Sequence, residues 1–163
     1  VMNYYVLYCQ SVKIEKLYKR FNAIEGIQAF IPKYEKYIGS KDKIILQTLF
    51  PGYLFIKTKL NQDEFDTMLV LMNEQKDGII RELKKEEVSA LTQQEIELLQ
   101  ILLNSKGVLV MSKGIKKDGY TIIEEGPLKA LEKQIVAVDK KERLAFLSIK
   151  FMNRRIKAGL FIR

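Results

Sequence analysis

The sequence predicts an α+β domain, with a mostly antiparallel sheet flanked by helices, followed by a small β-barrel. Up to about residue 104, strand-like runs alternate with segments whose apolar residues recur with the period of a helix. Beyond residue 113, short strand candidates recur between turn residues. The net charge also differs between these two parts of the chain. Residues 1–110 hold 15 basic and 14 acidic residues, a net of +1, whereas residues 111–163 hold 13 and 6, a net of +7.

The chain begins with a predicted strand, Tyr4–Cys9, which is rich in aromatic and β-branched residues. A helix follows, with Ser11 as its expected N-cap and a turn at Glu25–Gly26 as its end. The apolar residues of this helix fall on one face: Ile14, Leu17, Tyr18 and Phe21.

The next segment predicts strands joined by turns. Gln28–Pro32 is short and apolar, and Tyr34–Ile38 and Ile44–Leu49 flank a polar loop, which is typical of a hairpin. Phe50–Pro51–Gly52 interrupts the pattern with a bulge or kink, and Tyr53–Thr58 is a further strand.

Two more helices and one strand complete the first domain. Asn61 with Glu64 predicts a capping box for the second helix. Its apolar stripe is Phe65, Met68, Leu69 and Met72. Ile79–Leu83 is the strand, and Thr92 with Glu95 repeats the cap pattern. The predicted apolar face of the third helix is Ile96, Leu99 and Leu103.

The predicted domains are residues 1–104 and 113–163, with a linker at 105–112. The linker contains the apolar run Val108–Val110, which either docks on a domain or begins the barrel. Turns are expected at Asp139–Glu142 and at Asn153–Arg154. The barrel strand candidates are Tyr120–Ile123, Gln134–Val138, Leu144–Lys150 and Arg155–Phe161.

The composition disfavours an enzyme. The chain has no histidine and a single cysteine, which excludes the common zinc sites and a Cys–His nucleophile. It also lacks a GxxxxGK[ST] or GxGxxG phosphate loop. We therefore expect no catalytic residue, no metal and no cofactor. The single Cys9 and the absence of a signal-peptide pattern or a membrane-length apolar run predict a cytoplasmic protein without a membrane partner.

The strongest local feature is the run Leu49–Ile56, with three aromatic residues around a Pro-Gly break. Because successive strand residues point to opposite faces, Tyr53 and Phe55 share one face while Leu54 and Ile56 share the other. If the second pair faces the helices, Tyr53 and Phe55 form a patch that Tyr4, Tyr5 or Tyr8 would extend. Such a patch indicates a partner surface, and a sheet buried on both faces is the alternative.

The basic residues form two groups. Lys13, Lys16, Lys19 and Arg20 lie on the first helix, away from its apolar stripe. This pattern fits a solvated helix face or phosphate contacts. The second group clusters around the predicted turns of the barrel, which indicates RNA binding or simply solubility. The RNA-binding candidates are Lys113, Lys116, Lys129, Lys133, Lys140, Lys141, Arg143, Arg154, Arg155 and Lys157.

The chain resembles the NusG family of transcription factors over nearly its whole length. The first domain matches through Tyr4–Cys9, Phe30–Pro32 and Leu49–Phe55, and the second through Glu125–Leu128 with Ile135–Asp139, which is similar to a KOW motif. The resemblance implies an NGN domain followed by a KOW barrel of SH3-like fold.

The resemblance also implies partners. An aromatic and aliphatic patch on the NGN domain would bind the clamp of the largest RNA polymerase subunit, and the barrel would bind RNA. The polymerase contacts carried over by position are Tyr8, Phe50, Tyr53, Phe55 and Ile96. Lys13, Lys16 and Arg20 would face upstream DNA and the non-template strand. The protein is expected to be a monomer.

Within the family the chain most resembles the LoaP subgroup of specialised paralogs, through Phe151–Arg154 and the charged turn before it. This implies a processive antiterminator recruited by a structured RNA leader. The alternatives are a housekeeping NusG factor, whose barrel binds ribosomal protein or Rho, and a ribosome-associated KOW protein that binds RNA. Two positions depart from the family: Ala130 and Lys133 occupy a stretch that usually holds glycine, and Asn153 replaces a common glycine but tolerates positive φ.

Overall fold

The structure, a computed structural model, describes residues 1–86 and 88–163. Its helices and strands, in chain order, are β1 (Asn3–Cys9), α1 (Ile14–Asn22), β2 (Ile27–Phe30), β3 (Lys33–Ile38), β4 (Lys43–Thr48), β5 (Tyr53–Thr58), α2 (Gln62–Met72), β6 (Ile79–Glu82), β7 (Lys84–Lys85), β8 (Val88–Ser89), α3 (Gln93–Leu102), β9 (Val108–Leu109), β10 (Ser112–Lys117), β11 (Tyr120–Glu125), β12 (Ile135–Asp139), β13 (Leu144–Phe151) and β14 (Arg154–Ile162). Three 3₁₀ segments lie at Gly39–Lys41, Asn73–Lys76 and Pro127–Gln134.

The chain divides into two compact units. The first unit comprises Val1–Ile31 and Phe50–Ile96, and the second comprises Pro32–Leu49 and Glu97–Arg163. The predicted fold class is confirmed: helices flank an antiparallel sheet in the first unit, and the second unit is rich in strands. In the part of the chain that is described, every helix is too short or too polar to cross a membrane.

The sheet of the first unit has the strand order β2-β5-β1-β6, and all its neighbouring strands are antiparallel. One face packs against α1 and α2. Tyr5, Leu7, Leu54 and Ile56 point into this core. The helices contribute the side chains predicted from their apolar stripes: Ile14, Leu17, Phe21, Phe65 and Met72. Cys9 is buried in the same core, and burial raises the pKa of its thiol to about 12.

Two of the predicted helix caps are confirmed and one is wrong: at the start of α3, the Glu95 N–H donates to Thr92 Oγ1 at 3.2 Å and the Thr92 N–H donates to Glu95 Oε1 at 3.0 Å. Asn61 caps α2 as predicted: its side chain accepts from the Glu64 N–H, and the Glu64 side chain accepts from the Asn61 N–H, both at 2.9 Å. The prediction of Ser11 as the N-cap of α1 is wrong. The helix begins later, at Ile14, with Lys13 at the N-cap position and no side-chain cap.

The second unit contains two sheets. The three-stranded sheet has the order β4-β3-β9, so the predicted hairpin is confirmed and Val108–Leu109 joins it through parallel pairing with β3. The five-stranded sheet has the order β11-β10-β14-β13-β12. Along β14 alternate side chains are buried, namely Ile156, Ala158, Leu160 and Ile162. The opposite face of β14 therefore carries the residues between them.

Three further predictions needed correction. The buried face of α3 is formed by Leu98, Leu99 and Leu102, so Leu99 is buried as predicted whereas Ile96 and Leu103 are only half-buried. Ser112–Lys117 is a strand that the lysine-rich sequence did not predict, and it pairs with β11 and β14. The turn before β14 lies one residue earlier than predicted, since Met152 and Asn153 have positive φ, of 51° and 63°, and Arg154 begins β14.

Candidate functional site

The pleat of β5 divides its side chains as the sequence predicts. Val6 pairs with Phe55 and Tyr8 with Tyr53 across the β1–β5 ladder, so these residues share the face opposite the helices. Leu54 points into the helix-side core instead. Tyr5 also lies on the helix side, where its ring stacks on Phe65 at 4.1 Å. Tyr4 and Tyr8, and not Tyr5, therefore extend the aromatic face.

The rings of the aromatic face form two groups of contacts. Phe55 stacks on Phe30 at 5.4 Å and lies 5.8 Å from Phe50, and Tyr4 meets Phe30 edge to face at 6.5 Å. Tyr8 and Tyr53 form a second edge-to-face pair, with ring centroids 5.7 Å apart. These are favourable geometries for aromatic pairs.

The members of this face differ in exposure. Phe50 and Phe55 are buried, with 2% and 0% of their surface exposed. Tyr8 and Tyr53 are half-buried, as is Ile96 in α3. The tyrosines and Ile96 thus present accessible atoms, whereas a partner reaches the two phenylalanine rings only after they become exposed. The role of these five residues in polymerase binding stays a prediction.

The break at Phe50–Gly52 fixes the position of the tyrosine pair. Gly52 has a φ of +85°, and its carbonyl accepts from the Cys9 N–H at 2.8 Å. A Cβ on Gly52 would lie 2.8 Å from Cε1 of Tyr8. The backbone of the turn therefore lies directly against the Tyr8 ring, which only glycine allows.

The basic residues of α1 are largely engaged within the first unit. Lys13 Nζ lies 2.7 Å from Asp77 Oδ2, and this hydrogen bond lowers the pKa of Asp77. Arg20 Nη1 donates to the Gln75 carbonyl at 2.9 Å. Lys16 is exposed on the same helix. Of the three predicted DNA-facing residues, Lys16 has the most accessible charge.

The basic residues of the second unit lie mainly at the surface. Lys140 and Lys141 occupy the turn between β12 and β13, where the Glu142 N–H donates to Asp139 Oδ1 at 3.0 Å. Lys129 and Lys133 lie in the 3₁₀ segment Pro127–Gln134. The remaining exposed candidates lie in strands: Lys113, Lys116, Arg154, Arg155 and Lys157.

Several of these candidates have partners within the unit, and one of them is Lys157, whose Nζ lies 6.0 Å from the centroid of the Tyr34 ring. Lys113 Nζ lies 3.3 Å from Glu125 Oε1, in an exposed ion pair. The Arg143 guanidinium lies over two rings, 3.8 Å from the Tyr37 centroid and 4.5 Å from that of Phe161. Arg143 is accordingly half-buried, unlike the other RNA-binding candidates.

The hairpin formed by β13 and β14 places two basic side chains opposite each other. Lys150 pairs with Arg155 directly across the β13–β14 ladder, and both side chains are exposed. Like charges opposite each other on a sheet repel. An anion bound between them would relieve this repulsion, so the pair suits a phosphate backbone.

A groove that sequence reasoning did not identify lies in the second unit. Residues of β11, β12 and the 3₁₀ segment line a space of about 470 Å³. Tyr120 and Val136 at this groove are 75% and 56% exposed. The one signal for Tyr120 in the sequence is its place after the Asp118–Gly119 turn. In the described residues, no cluster of three or more His, Cys, Asp or Glu side chains is placed to hold a metal.

Comparisons with known proteins give the family and the fold. A family model described as "Transcription termination factor nusG" matches residues 2–100. The structure is similar to one described as "Domain interaction in Thermotoga maritima NusG", with a TM-score of 0.57 and 14% sequence identity over 99% of this chain and 94% of that chain. At this identity the likeness shows a shared fold. No curated protein is a sequence match.

Proposed function

Since the chain belongs to the NusG family of transcription factors, we propose that it is a specialised elongation factor that acts as a processive antiterminator. It binds RNA polymerase through its first domain and a structured RNA leader through its basic C-terminal part. It acts by binding and not as an enzyme, and it acts in the cytoplasm as a monomer. The observation that carries the proposal is the net charge of +7 on residues 111–163.

The aromatic face supports polymerase binding. Tyr8 and Tyr53 combine apolar rings with polar hydroxyls, which is typical of residues at protein interfaces. The buried rings of Phe50 and Phe55, 5.8 Å apart, complete the aromatic face. We propose that this face, with Ile96, docks on the clamp of the largest polymerase subunit. Lys16, with Lys13 and Arg20 nearby on α1, would then face the upstream DNA and the non-template strand.

The charge distribution supports RNA as the ligand of the C-terminal part. Its basic side chains are spread over a turn, a 3₁₀ segment and β14, and most of them are exposed. A surface of this kind attracts any polyanion, and arginine adds bidentate contacts to phosphates. A barrel that bound only a protein, such as a ribosomal protein or Rho, would not need this excess of basic over acidic residues. The charge therefore favours the LoaP-like function over the housekeeping one.

A transcription assay with purified RNA polymerase tests the proposal. The template carries the RNA leader of the operon that encodes this chain, followed by an intrinsic terminator. We expect the protein to increase readthrough only when the leader is present. The Lys140→Glu/Lys141→Glu variant should lose this effect, and the charge-matched Lys59→Glu/Lys106→Glu variant should retain it.

The assay separates the alternatives. Readthrough or pause suppression that is equal on a scrambled leader would assign the housekeeping function. Binding to ribosomal RNA without any effect on polymerase would assign the chain to the ribosome. Either result would overturn the antiterminator proposal.

A further inference from the structure

The groove in the second unit lies between the two outer strands of the five-stranded sheet. In the order β11-β10-β14-β13-β12, β11 and β12 are at opposite ends, yet residues from both strands line one space of about 470 Å³. The sheet must therefore curve so that its two edges approach each other. Pockets of this size hold single small molecules, so the groove has room for one or two nucleotides but not for a duplex.

Tyr120 gives the groove an aromatic platform. It is the first residue of β11, and 75% of its surface is exposed, which is high for a tyrosine in a strand. Across the groove Val136 of β12 is 56% exposed. An exposed ring beside an apolar side chain suits the flat face of an unpaired base, which stacks on aromatic rings regardless of its identity.

Lysines flank this platform. Lys116 of β10 and Lys133 of the 3₁₀ segment both line the groove and are exposed. The acidic residue of the lining, Glu132, is already engaged: its Oε2 accepts from the Ile123 N–H at 2.8 Å. The groove thus presents two cations and one carboxylate that the backbone partly satisfies, which complements an anionic ligand.

The same hydrogen bond argues against an extended peptide as the occupant. A peptide that adds a strand needs free backbone groups along the sheet edge. Glu132 occupies the Ile123 N–H on β11, so this edge is partly capped. An uncharged peptide would not use the two lysines, whereas a nucleotide uses the ring for its base and the cations for its phosphates.

We propose that this groove binds unpaired nucleotides of the recruiting RNA, with one base stacked on Tyr120 and adjacent phosphates contacted by Lys116 and Lys133. This inference rests on the proposed function, because it assumes that the C-terminal part binds RNA. It adds a specific site and a preference: the bound RNA must offer a loop or bulge, not only a stem.

A single tryptophan tests the stacking directly. The chain contains no tryptophan, so the full-length Tyr120→Trp variant reports on the groove alone. The ligands are a stem–loop RNA with an adenosine loop, the blunt duplex of the same stem, and heparin, which is a polyanion without bases. We expect the stem–loop to quench the emission and the other two to leave it unchanged. Val70→Trp, on an exposed position of α2, is the control and should respond to none of them.

Affinity for labelled stem–loop RNA gives the second measurement. Tyr120→Ala should weaken binding by about ten-fold, because stacking contributes at this level, whereas Tyr120→Phe should stay within about two-fold. Duplex and heparin affinities should not change in either variant. The exposed position of Tyr120 makes the folded state tolerant of these changes, and thermal melting checks it.

The outcomes separate this inference from the proposed function. RNA binding that persists without quenching, or with equal quenching by duplex and heparin, overturns the groove and leaves RNA binding by the C-terminal part in place. An acidic peptide is added as a fourth ligand, and quenching by this peptide but not by RNA would assign the groove to a protein partner and also overturn the proposal. Failure to bind any RNA overturns both the inference about the groove and the proposed function.

Discussion

The guanidinium of Arg143 lies 3.8 Å from the centroid of the Tyr37 ring, and the Phe161 ring lies 4.5 Å away on the same cation. Tyr37 belongs to β3 and Phe161 to β14, so the contact ties the hairpin of the second unit to its five-stranded sheet. Arginine suits this position because its planar guanidinium both stacks on rings and attracts their negative faces.

We expect Arg143→Ala and Arg143→Lys both to destabilise the protein. Lysine keeps the charge but loses the planar stacking, so it should recover only part of the loss. The melting temperature should fall by about 3 °C for the alanine variant. Lys141→Ala, an exposed neighbour in the same turn, is the control and should leave the melting temperature unchanged. An equal fall for both positions would mean that the loss arises from the turn and not from the rings.

Arg143 also shows where sequence reasoning stops. The density of basic residues around 140–143 was visible in the sequence, but the rings that hold Arg143 come from distant segments of the chain. Periodicity describes one element at a time, so it predicted most of the strands and the pleat of β5, but not the strand Ser112–Lys117. The pattern within one element does not show which other elements of the chain it contacts.

The same limit explains the other differences. Ser112–Lys117 did not look like a strand because lysines interrupt any apolar alternation, yet β14 beside it supplies the pairing and the burial. The burial of Phe50 and Phe55 likewise depends on tertiary packing and not on alternation, which assigned their face but not their exposure. The face of the sheet on which a side chain lies was therefore predictable from the sequence, whereas its exposure to solvent was not.

Two glycines of the second unit provide a matched test of close packing. Gly126 and Gly119 both have positive φ, of 105° and 81°. A Cβ on Gly126 would lie 2.7 Å from Cα of Ser112, whereas nothing lies within 4 Å of a Cβ on Gly119. Ser112 cannot move easily, because it is fully buried and its Oγ accepts from the Leu128 N–H at 3.0 Å.

We therefore expect Gly119→Ala to lower the free energy of unfolding by about 1 kcal/mol, the usual cost of positive φ for alanine. Gly126→Ala should cost roughly 3 kcal/mol or more, because the steric conflict adds to that strain. Urea denaturation of both variants measures the difference. Equal losses would show that the backbone around Ser112 relaxes, contrary to this packing.

Glu82 predicts a pH dependence of stability in the first unit. Its side chain is 6% exposed, and Gln62 Nε2 donates to both carboxylate oxygens, at 3.3 and 3.0 Å. Burial raises its pKa from 4.5 to about 7. The folded protein then holds this proton more tightly than the unfolded chain. The contribution of Glu82 to the free energy of unfolding should fall as pH rises from about 4.5 to about 7, by about 3 kcal/mol in total, and stay constant above that.

Glu82→Gln isolates this contribution, because glutamine keeps the size and an acceptor oxygen but cannot ionise. The variant should match the wild type near pH 4 and be more stable at pH 8. Glu74→Gln, on an exposed position, should follow the wild type at every pH. A variant less stable than the wild type at pH 8 would show that ionised Glu82 is stabilised in the fold.

The salt dependence of RNA binding tests whether Lys140 and Lys141 contact phosphates. Both are exposed in the turn that Asp139 and Glu142 close. Each phosphate contact adds about 0.7–0.9 to the slope of log affinity against log salt concentration. The Lys140→Gln/Lys141→Gln variant should therefore weaken binding of a stem–loop RNA and reduce the slope by about 1.5. The loss should be the same for any loop sequence, because phosphates carry no sequence information. Lys59→Gln/Lys106→Gln is the control with the same change in net charge and should keep the full slope. If both variants reduce the slope equally, the effect is one of net charge, and the RNA does not lie along this turn.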